Sequence, residues 1–241
     1  MASKSVAIVQ SCYIPWKGYF DLIASVDEFI LYDDRQFTRR DWRNRNRIKT
    51  PQGTRWLTIP VETKGRYHQR IDETLIEDPG WSDQHRKTLT HNYAAAPHFA
   101  DYRVLLESLY GAATSEPRLS SINRQFIEAI AGALGITTTL SWSTDYEVDG
   151  AKTDRLVALC RAANATHYLS GPRARSYLDE GAFADAGIRL TYFDYSGYPE
   201  YEQLYPPFEH AVTILDLLFH TGPEAPRYLK SSARLLATQG A

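Results

Sequence analysis

The opening of the chain most constrains its fold, because it reads as strand, helix, strand. A short apolar run rich in β-branched residues at 5–10 is typical of a buried strand. After Pro15, apolar side chains at helical spacing predict a helix over residues 16–24. A second apolar run at 28–32 predicts the next strand. Two strands joined by a helix form the βαβ unit of a parallel sheet, so we expect an α/β fold.

The rest of the chain continues this alternation around a helical block. Further strands are predicted at 54–61, 136–142, 167–171 and 188–195. Helices are predicted at 83–93, 99–110, 120–134, 154–164 (capped by Thr153), 173–181 and 211–220. We therefore expect a parallel-sheet, Rossmann-like core in a single domain over residues 1–222, with a helical insertion at about 82–134 and a C-terminal tail at 223–241.

Composition excludes several classes of protein. Cys12 and Cys160 are the two cysteines, and so few rule out a disulfide scaffold. No apolar run approaches the roughly 20 residues of a membrane helix, so we expect no membrane insertion. The N-terminus lacks the apolar core and cleavage site of a signal peptide. A cytoplasmic location is the expectation.

The near-neutral charge conceals a strong asymmetry. The chain has 27 Lys+Arg and 29 Asp+Glu, but residues 35–55 hold eight of the basic residues and only one acid, Asp41. The remainder therefore has 19 basic and 28 acidic residues. Guanidinium groups bind phosphate and carboxylate bidentately, which favours a small phosphorylated ligand. A solvated basic loop or strand edge is the alternative, and nucleic acid is less favoured because the acidic remainder would repel it.

Two strand-to-helix junctions, at residues 10–23 and 169–175, are candidate ligand sites. Ligands of open α/β sheets bind beyond the carboxyl ends of strands, where a helix N-terminus attracts phosphate. The junctions also resemble the two motifs of the nucleotidylyltransferase (HUP) superfamily. The first lacks both histidines of that pattern, so nucleotidyl transfer by those groups is not expected. The candidate binding residues are Gln10, Tyr13, Trp16, Lys17, Gly18, Tyr19, Ser170, Gly171 and Arg175.

A closer resemblance is to the WbqC-like family of O-antigen, surface-polysaccharide and natural-product gene clusters. It rests on the opening Gln10-x-x-Tyr13-Ile14-Pro15-Trp16-x-Gly18-Tyr19-Phe20, on Tyr32-Asp33-Asp34, and on the block at residues 41–49. It spans residues 6–222. The resemblance implies attachment of glycine or a similar acyl group to the amine of an amino-sugar nucleotide.

That reaction needs anion-binding groups, stacking surfaces and a base. Asp33 and Asp34, which follow a strand, are the candidate bases, with His68, His85 and His91 as alternatives. No Ser-His-Asp or Gly-x-Ser-x-Gly pattern supports a covalent intermediate, so we expect direct transfer, and the histidines lack zinc spacing. Phosphate-binding candidates in the basic stretch are Arg40, Arg43, Arg45 and Lys49, with Trp42 for stacking and Asn44 and Asn46 for hydrogen bonds.

Three functions stay open at this point. The favoured one is an aminoacyl or acyl transferase in surface-polysaccharide or O-antigen biosynthesis that acts on a small phosphorylated substrate. The second is an adenylate-forming or nucleotidyl-transferring enzyme, and the third is a non-catalytic pathway scaffold. The reaction would draw on ATP with Mg²⁺ or on the phosphopantetheine of an acyl-carrier protein, which makes a carrier protein a candidate partner.

Overall fold

Seven strands and seven α-helices lie within residues 3–233 and 235, which the computed structural model of this protein describes. The strands are β1 (Ser5–Val9), β2 (Glu28–Leu31), β3 (Arg45–Thr50), β4 (Gly53–Thr58), β5 (Thr139–Trp142), β6 (His167–Ser170) and β7 (Arg189–Tyr192). The helices are α1 (Lys17–Ala24), α2 (Trp81–Tyr93), α3 (Phe99–Ala113), α4 (Leu119–Ala133), α5 (Lys152–Ala162), α6 (Glu180–Asp185) and α7 (Ile214–Thr221).

Five parallel strands form the central sheet, in the order β5-β2-β1-β6-β7. From β1 the chain builds outwards to β2 and β5 on one side, and then crosses to β6 and β7 on the other. The change of direction places a topological switch point between β1 and β6. The α/β, Rossmann-like fold class predicted from the sequence is confirmed.

Helices cover both faces of this sheet. Val6, Ile8 and Ile30 point into a core shared with α5 and α6. Ala7 and Phe29, on the alternate positions of the same strands, point into a larger core shared with α1, α2, α3, α4 and α7. Because both faces of β1 and β2 are buried, their sequences are almost continuously apolar. Helices α2 to α4 occupy the stretch predicted as a helical block at 82–134, and they belong to the larger core.

A separate hairpin carries the second half of the basic stretch. A strand was expected at 54–61, and β4 does form there, but it pairs antiparallel with β3 outside the parallel sheet. Strand β3 was not predicted, because its sequence, Arg-Asn-Arg-Ile-Lys-Thr, has few apolar residues. Its side chains alternate between two faces, and the arginines share the face on which Trp56 of β4 stands.

Two helix predictions were wrong in detail. Residues 173–181 do not form one helix: Pro172–Ser176 is a 3₁₀ turn, and α6 begins at Glu180 after the capping carboxylate of Asp179. Thr153 does not cap α5, which begins one residue earlier. Its hydroxyl instead accepts the backbone N–H of Asp179 at 3.1 Å. The hydrogen bond between Thr153 of α5 and Asp179 before α6 links the two places, and local sequence does not show it.

The buried carboxylate of Asp21 ties the end of the described chain to α1. It accepts hydrogen bonds from the hydroxyl of Tyr198 at 2.7 Å and from the backbone N–H groups of Lys230 and Ser231 at 2.9 and 2.8 Å. Residues 230 and 231 fall in the predicted tail at 223–241. The described part of that tail therefore packs against the domain, and the boundary at 222 stays a prediction.

Candidate functional site

A cleft of about 490 Å³ opens at the carboxyl ends of β2 and β5, beside the start of α4. Its position follows from the fold, because parallel strands direct their last residues and the loops that follow to one edge of the sheet. Segments far apart in the chain meet there. The lining residues are Asp33, Asp34, Arg70, Asp72, Glu73, Leu75, Arg118, Ser120, Ser121, Trp142, Ser143 and Thr144.

Asp33 lies at the inner end of this cleft and is only 1% exposed. One carboxylate oxygen accepts the backbone N–H of Ser11 at 2.7 Å, and the other accepts the hydroxyl of Ser120. Burial raises the pKa of Asp33 above its ordinary value, despite the hydrogen bonds from Ser120 and Ser11. Asp33 is therefore a stronger base than an exposed aspartate, and the Ser120 hydroxyl is its contact in the cleft.

Asp34 differs from its neighbour, although both line the cleft. Its carboxylate accepts Arg35 at 3.0 Å, Arg155 at 2.5 Å and the Ser143 hydroxyl at 2.8 Å. Burial would raise the pKa of Asp34, but hydrogen bonds from Arg35 and Ser143 outweigh it and hold the pKa below the ordinary value. Asp34 is thus a stable anion that joins the end of β2 to α5 and to the residue after β5.

The cleft lining also includes other acids and arginines. Arg70 forms ion pairs with Asp72 at 2.9 Å and Glu73 at 3.5 Å. Arg118 precedes α4, and its guanidinium has no ion pair or hydrogen bond within the described part of the chain. The cleft therefore presents several carboxylates together with the open guanidinium of Arg118, an arrangement that suits a ligand carrying both an amine and an anionic group.

The loop between β1 and α1 is strained. Ile14 has φ of +35°, a rare conformation for a β-branched residue. The amide of Asn46 holds this loop by donating to the carbonyl oxygens of Tyr13 at 3.1 Å and Ile14 at 2.8 Å. Such strain persists only where surrounding contacts maintain it, and it is concentrated at functional sites. Asn46, expected to contact a ligand, instead contacts the loop at the switch point.

Several other predicted binding residues are buried among protein partners. The Tyr13 hydroxyl lies 2.9 Å from Nδ1 of His85 and 2.6 Å from the Tyr110 hydroxyl, between the sheet and the helical block. The Tyr19 hydroxyl donates to the carbonyl oxygen of Gln10. Buried side-chain contacts of the same kind are the Asn44 amide on the Ile59 carbonyl, Lys49 on the Pro207 carbonyl and Ser170 on the Tyr168 hydroxyl.

Arg43 is an internal support of the first junction. Its Nη1 donates to the carbonyl oxygens of Gln10 at 2.9 Å and Ser11 at 3.1 Å, and its Nε lies 3.6 Å from Asp41. Burial raises the pKa of the neighbouring Cys12 thiol to about 11, so this cysteine stays protonated at neutral pH. The geometry thus favours a structural role for both side chains at the end of β1.

Lys17 is enclosed in an aromatic cage. Its ammonium lies 5.2 Å from the ring of Tyr198, 5.3 Å from Tyr201 and 5.6 Å from Phe208, and donates to the carbonyl oxygen of Pro199 at 3.0 Å. Burial lowers the pKa of Lys17 to about 8, although the charges of Asp216 and other acids oppose this. Lys17 therefore holds the segment 198–208, which carries these three rings, against α1.

Trp16 occupies the space above Gly18. A Cβ added at Gly18 would lie 2.4 Å from the nearest indole carbon, and the indole packs against Tyr195 and Tyr198 at centroid distances of 5.3 and 5.8 Å. Gly18 is one of the candidate ligand-binding residues predicted from the sequence. The group that approaches it is the protein's own indole.

We expect Gly18→Ala to lower the free energy of unfolding by about 2 kcal/mol, because the new methyl group must displace Trp16 from its aromatic neighbours. Gly111 in α3 is the matched control, because it is exposed and a Cβ added there would meet no described atom within 4 Å. Gly111→Ala should raise stability by roughly 0.5–1 kcal/mol. Urea unfolding followed by tryptophan fluorescence measures both. Equal effects from the two variants would show that the indole is not held over Gly18.

The remaining predicted residues lie outside the cleft. Gly171 precedes the 3₁₀ turn, and the exposed Arg175 stacks on Tyr192 at 4.6 Å. His91 is exposed in the last turn of α2, away from the cleft lining. Arg40, Trp42 and Arg45 lie at or near the β3–β4 hairpin, where the carbonyl of Arg40 accepts the guanidinium of Arg45. The second strand-to-helix junction, at residues 169–175, therefore does not line the cleft.

Sequence reasoning missed most of the cleft wall. Arg70, Asp72, Glu73 and Arg118 come from irregular segments, and no motif marks them. Trp142, Ser143 and Thr144 lie at the end of a predicted strand and directly after it, so the rule that ligands bind at carboxyl ends of strands was a usable signal.

Across residues 3–233 and 235, no group of three or more His, Cys, Asp or Glu side chains is arranged to hold a metal ion. The same residues contain no helix that is long and apolar enough to cross a membrane.

Comparison with known proteins identifies the family to which the chain is similar. The model of the WbqC-like protein family matches residues 10–228. A protein of Mycobacterium tuberculosis (strain ATCC 25618 / H37Rv), named Uncharacterized protein Rv1507c, is 57% identical over 227 residues, which are 94% of this chain and 98% of that protein. No solved structure matches the chain. The family match spans the strained loop, the cleft and the hairpin together.

Proposed function

Because this chain belongs to the WbqC-like protein family, we propose that it is a transferase that attaches an aminoacyl group, such as glycyl, or an acyl group to the amine of a sugar nucleotide or related intermediate. The family membership confirms the resemblance inferred from the opening motif and from residues 41–49. The reaction itself is our proposal, and the cleft supports it.

The observation that carries the proposal is the pairing of Asp33 with Ser120 in the cleft. Amide formation requires removal of a proton from the attacking amine, and a carboxylate of raised pKa performs that task better than an ordinary one. The Ser120 hydroxyl donates to Asp33 and lines the cleft, so it can pass a proton from a bound amine to the carboxylate.

The cleft also has groups for both ends of such a substrate. The carboxylates of Asp72 and Glu73 favour the ammonium form of the amine on binding, and the guanidinium of Arg118 offers a partner for an anionic group of the substrate. Sugar hydroxyls find hydrogen-bond partners in Ser121 and Thr144.

In the proposed step, the bound ammonium first loses a proton to a cleft carboxylate or to water. The neutral amine nitrogen then attacks the carbonyl carbon of an activated donor such as an acyl thioester. A second amine proton passes through Ser120 to Asp33, the carbon–sulfur bond breaks, and the thiolate leaves and takes up a proton. The products are an amide and a thiol. No oxidant or reductant is required.

Binding of a nucleoside-diphosphate amino sugar tests the proposal. We expect it to bind at least about tenfold more tightly than the matched sugar with a hydroxyl in place of the amine, because only the ammonium gains from the cleft carboxylates. Arg118→Gln should weaken binding of the amino sugar about tenfold. Isothermal titration calorimetry at pH 7 measures both effects.

Arg103→Gln is the matched control, because Arg103 is an exposed arginine on α3 that pairs only loosely with Glu107 at 3.9 Å. It should leave binding unchanged. Equal affinity for the amine and hydroxyl sugars would overturn an amine acceptor in this cleft. Release of pyrophosphate from ATP on addition of a carboxylic acid would favour adenylate formation instead, and no response to any small molecule would favour a scaffold.

A further inference from the structure

The exposed face of the β3–β4 hairpin carries two tryptophans and two arginines, which we call the Trp–Arg surface: Trp42, Arg45, Arg47 and Trp56. Trp42 and Trp56 are 37% and 40% exposed, and their ring centroids lie 5.1 Å apart. Strand pairing places Arg47 opposite Trp56, and the period of two puts Arg45 on the same face. The four side chains therefore form one continuous patch.

Within residues 3–233 and 235, neither arginine of this surface is neutralised by a carboxylate. The guanidinium of Arg45 lies 4.1 Å from the Trp56 ring, and its polar contact is the Arg40 carbonyl. The guanidinium of Arg47 lies 5.8 Å from the rings of both tryptophans. The Nε atoms of both arginines are buried without a hydrogen-bond partner in the described part of the chain. Two cations are thus held against aromatic rings with hydrogen-bonding capacity to spare.

The fold does not account for this arrangement. Among the described residues, Trp16, Trp81 and Trp142 belong to the main core or pack against it, whereas Trp42 and Trp56 do neither. Each of these tryptophans leaves more than a third of its surface in solvent, and two adjacent guanidinium groups without acidic partners in the described chain repel each other. Side chains that cost stability without serving the core are expected where a ligand is bound.

From this geometry we propose that the Trp–Arg surface binds a nucleoside phosphate, with the base against the indoles and the phosphates on Arg45 and Arg47. Indole faces stack on any nucleobase, and guanidinium forks match phosphate oxygens. The apolar part of the patch is two indoles in size, which suits one planar ring system better than a protein interface. The acidic remainder of the chain favours a free nucleotide over a long nucleic acid.

Helix α4 lines the cleft and also contacts the backbone next to Trp42. The amide of Asn123 donates to the carbonyl oxygen of Arg43, next to Trp42, and to the Ser11 hydroxyl. Ser120, which lines the cleft, lies on the same helix one turn earlier. The inference rests on the proposed function only for what the nucleotide carries: the attached amino sugar would be held in the cleft.

The test titrates bare nucleoside diphosphate into the full chain and follows the quenching of tryptophan fluorescence. We expect saturable quenching, about tenfold or more weaker binding in Trp56→Leu and in the double variant Arg45→Gln/Arg47→Gln, and comparably weak binding of ribose 5-phosphate, which lacks a base. Arg103→Gln is the control and should bind as the unaltered protein does. Unchanged thermal unfolding midpoints establish that the variants are folded.

Bare nucleotide separates this inference from the proposed function. Binding of bare nucleoside diphosphate involves no amine acceptor and no acyl donor, so we expect it even if the amino sugar is not a substrate. Equal affinities of the unaltered protein, Trp56→Leu and the arginine double variant would overturn the inference. An oligonucleotide that binds far more tightly than the mononucleotide, with steep salt dependence and the same sensitivity to the variants, would identify a nucleic-acid strand as the source of the base and phosphate.

Discussion

Asp33→Asn is expected to lower turnover by about 10²- to 10⁴-fold, the range for loss of a general base. Asparagine has the shape of aspartate and keeps an oxygen that can accept the backbone N–H of Ser11, so the end of β2 should stay in place. What it lacks is the ability to take a proton from Ser120. Mass spectrometry of the acylated amine product measures the rate, with an amine that binds the cleft as substrate.

The pH profile of this variant distinguishes a base from a structural residue. In the unaltered protein kcat/KM should fall as the pH drops through the pKa of Asp33, which burial raises above the ordinary aspartate value. The variant should lack this limb. Asp83→Asn, at an exposed position on α2, is the matched control and should keep both rate and profile. If Asp33→Asn kept normal turnover, another group would be the base.

The second large effect concerns stability and His85. Burial lowers the pKa of His85 from 6.5 to about 4. Between those values the unfolded chain binds a proton that the folded protein does not, so stability must fall as the pH falls. The loss from this one group amounts to about 3 kcal/mol, starting near pH 6.5 and complete near pH 4. Above pH 6.5 His85 is mostly neutral in both the folded and the unfolded protein, so this loss of stability is absent.

A pair of variants on the same helix isolates this effect. His85→Asn keeps a polar group beside the Tyr13 hydroxyl but cannot titrate, so its free energy of unfolding should depend less on pH. His91→Asn alters an exposed histidine in the last turn of α2 and should leave the dependence unchanged. Urea unfolding at pH 7 and pH 4.5 gives both differences. Parallel losses in His85→Asn and the unaltered protein would place the acid sensitivity in other groups.

Burial accounts for much of the difference between the predicted and observed surroundings of the site residues. Tyr13, Tyr19, Asn46 and Lys49 have polar or aromatic groups that suit a ligand, yet the side chain of each contacts protein instead. A sequence shows that a hydroxyl or an amide is present but not whether another part of the chain already satisfies it. Their role as ligand contacts stays a prediction that the structure does not favour.

The different chemical roles of Asp33 and Asp34 were also not predictable from the sequence. Their position after a strand placed both at the carboxyl edge of the sheet, and the structure puts both in the cleft. Nothing in the dipeptide distinguishes them. Arg35 and Arg155 hold Asp34 as an anion, whereas burial makes Asp33 more basic, and Arg155 is remote in sequence. Neighbours in space therefore assign their chemical roles.

The sequence by itself determined the strand and helix periods, the parallel sheet, the basic stretch at 35–55 and the membership of the WbqC-like family. The periods, the sheet and the basic stretch depend on the local spacing of apolar and charged residues, whereas the family follows from the matching motifs. Only the tertiary structure decided that a cleft forms at β2 and β5, and that the guanidinium of Arg118 lines it without an ion pair or hydrogen bond among the described residues. It also decided that Trp42, Arg45 and Arg47 of the basic stretch meet Trp56 in the Trp–Arg surface. Those outcomes depend on which distant side chains meet, and on whether the meeting buries a charge, neutralises it or leaves it open to a ligand.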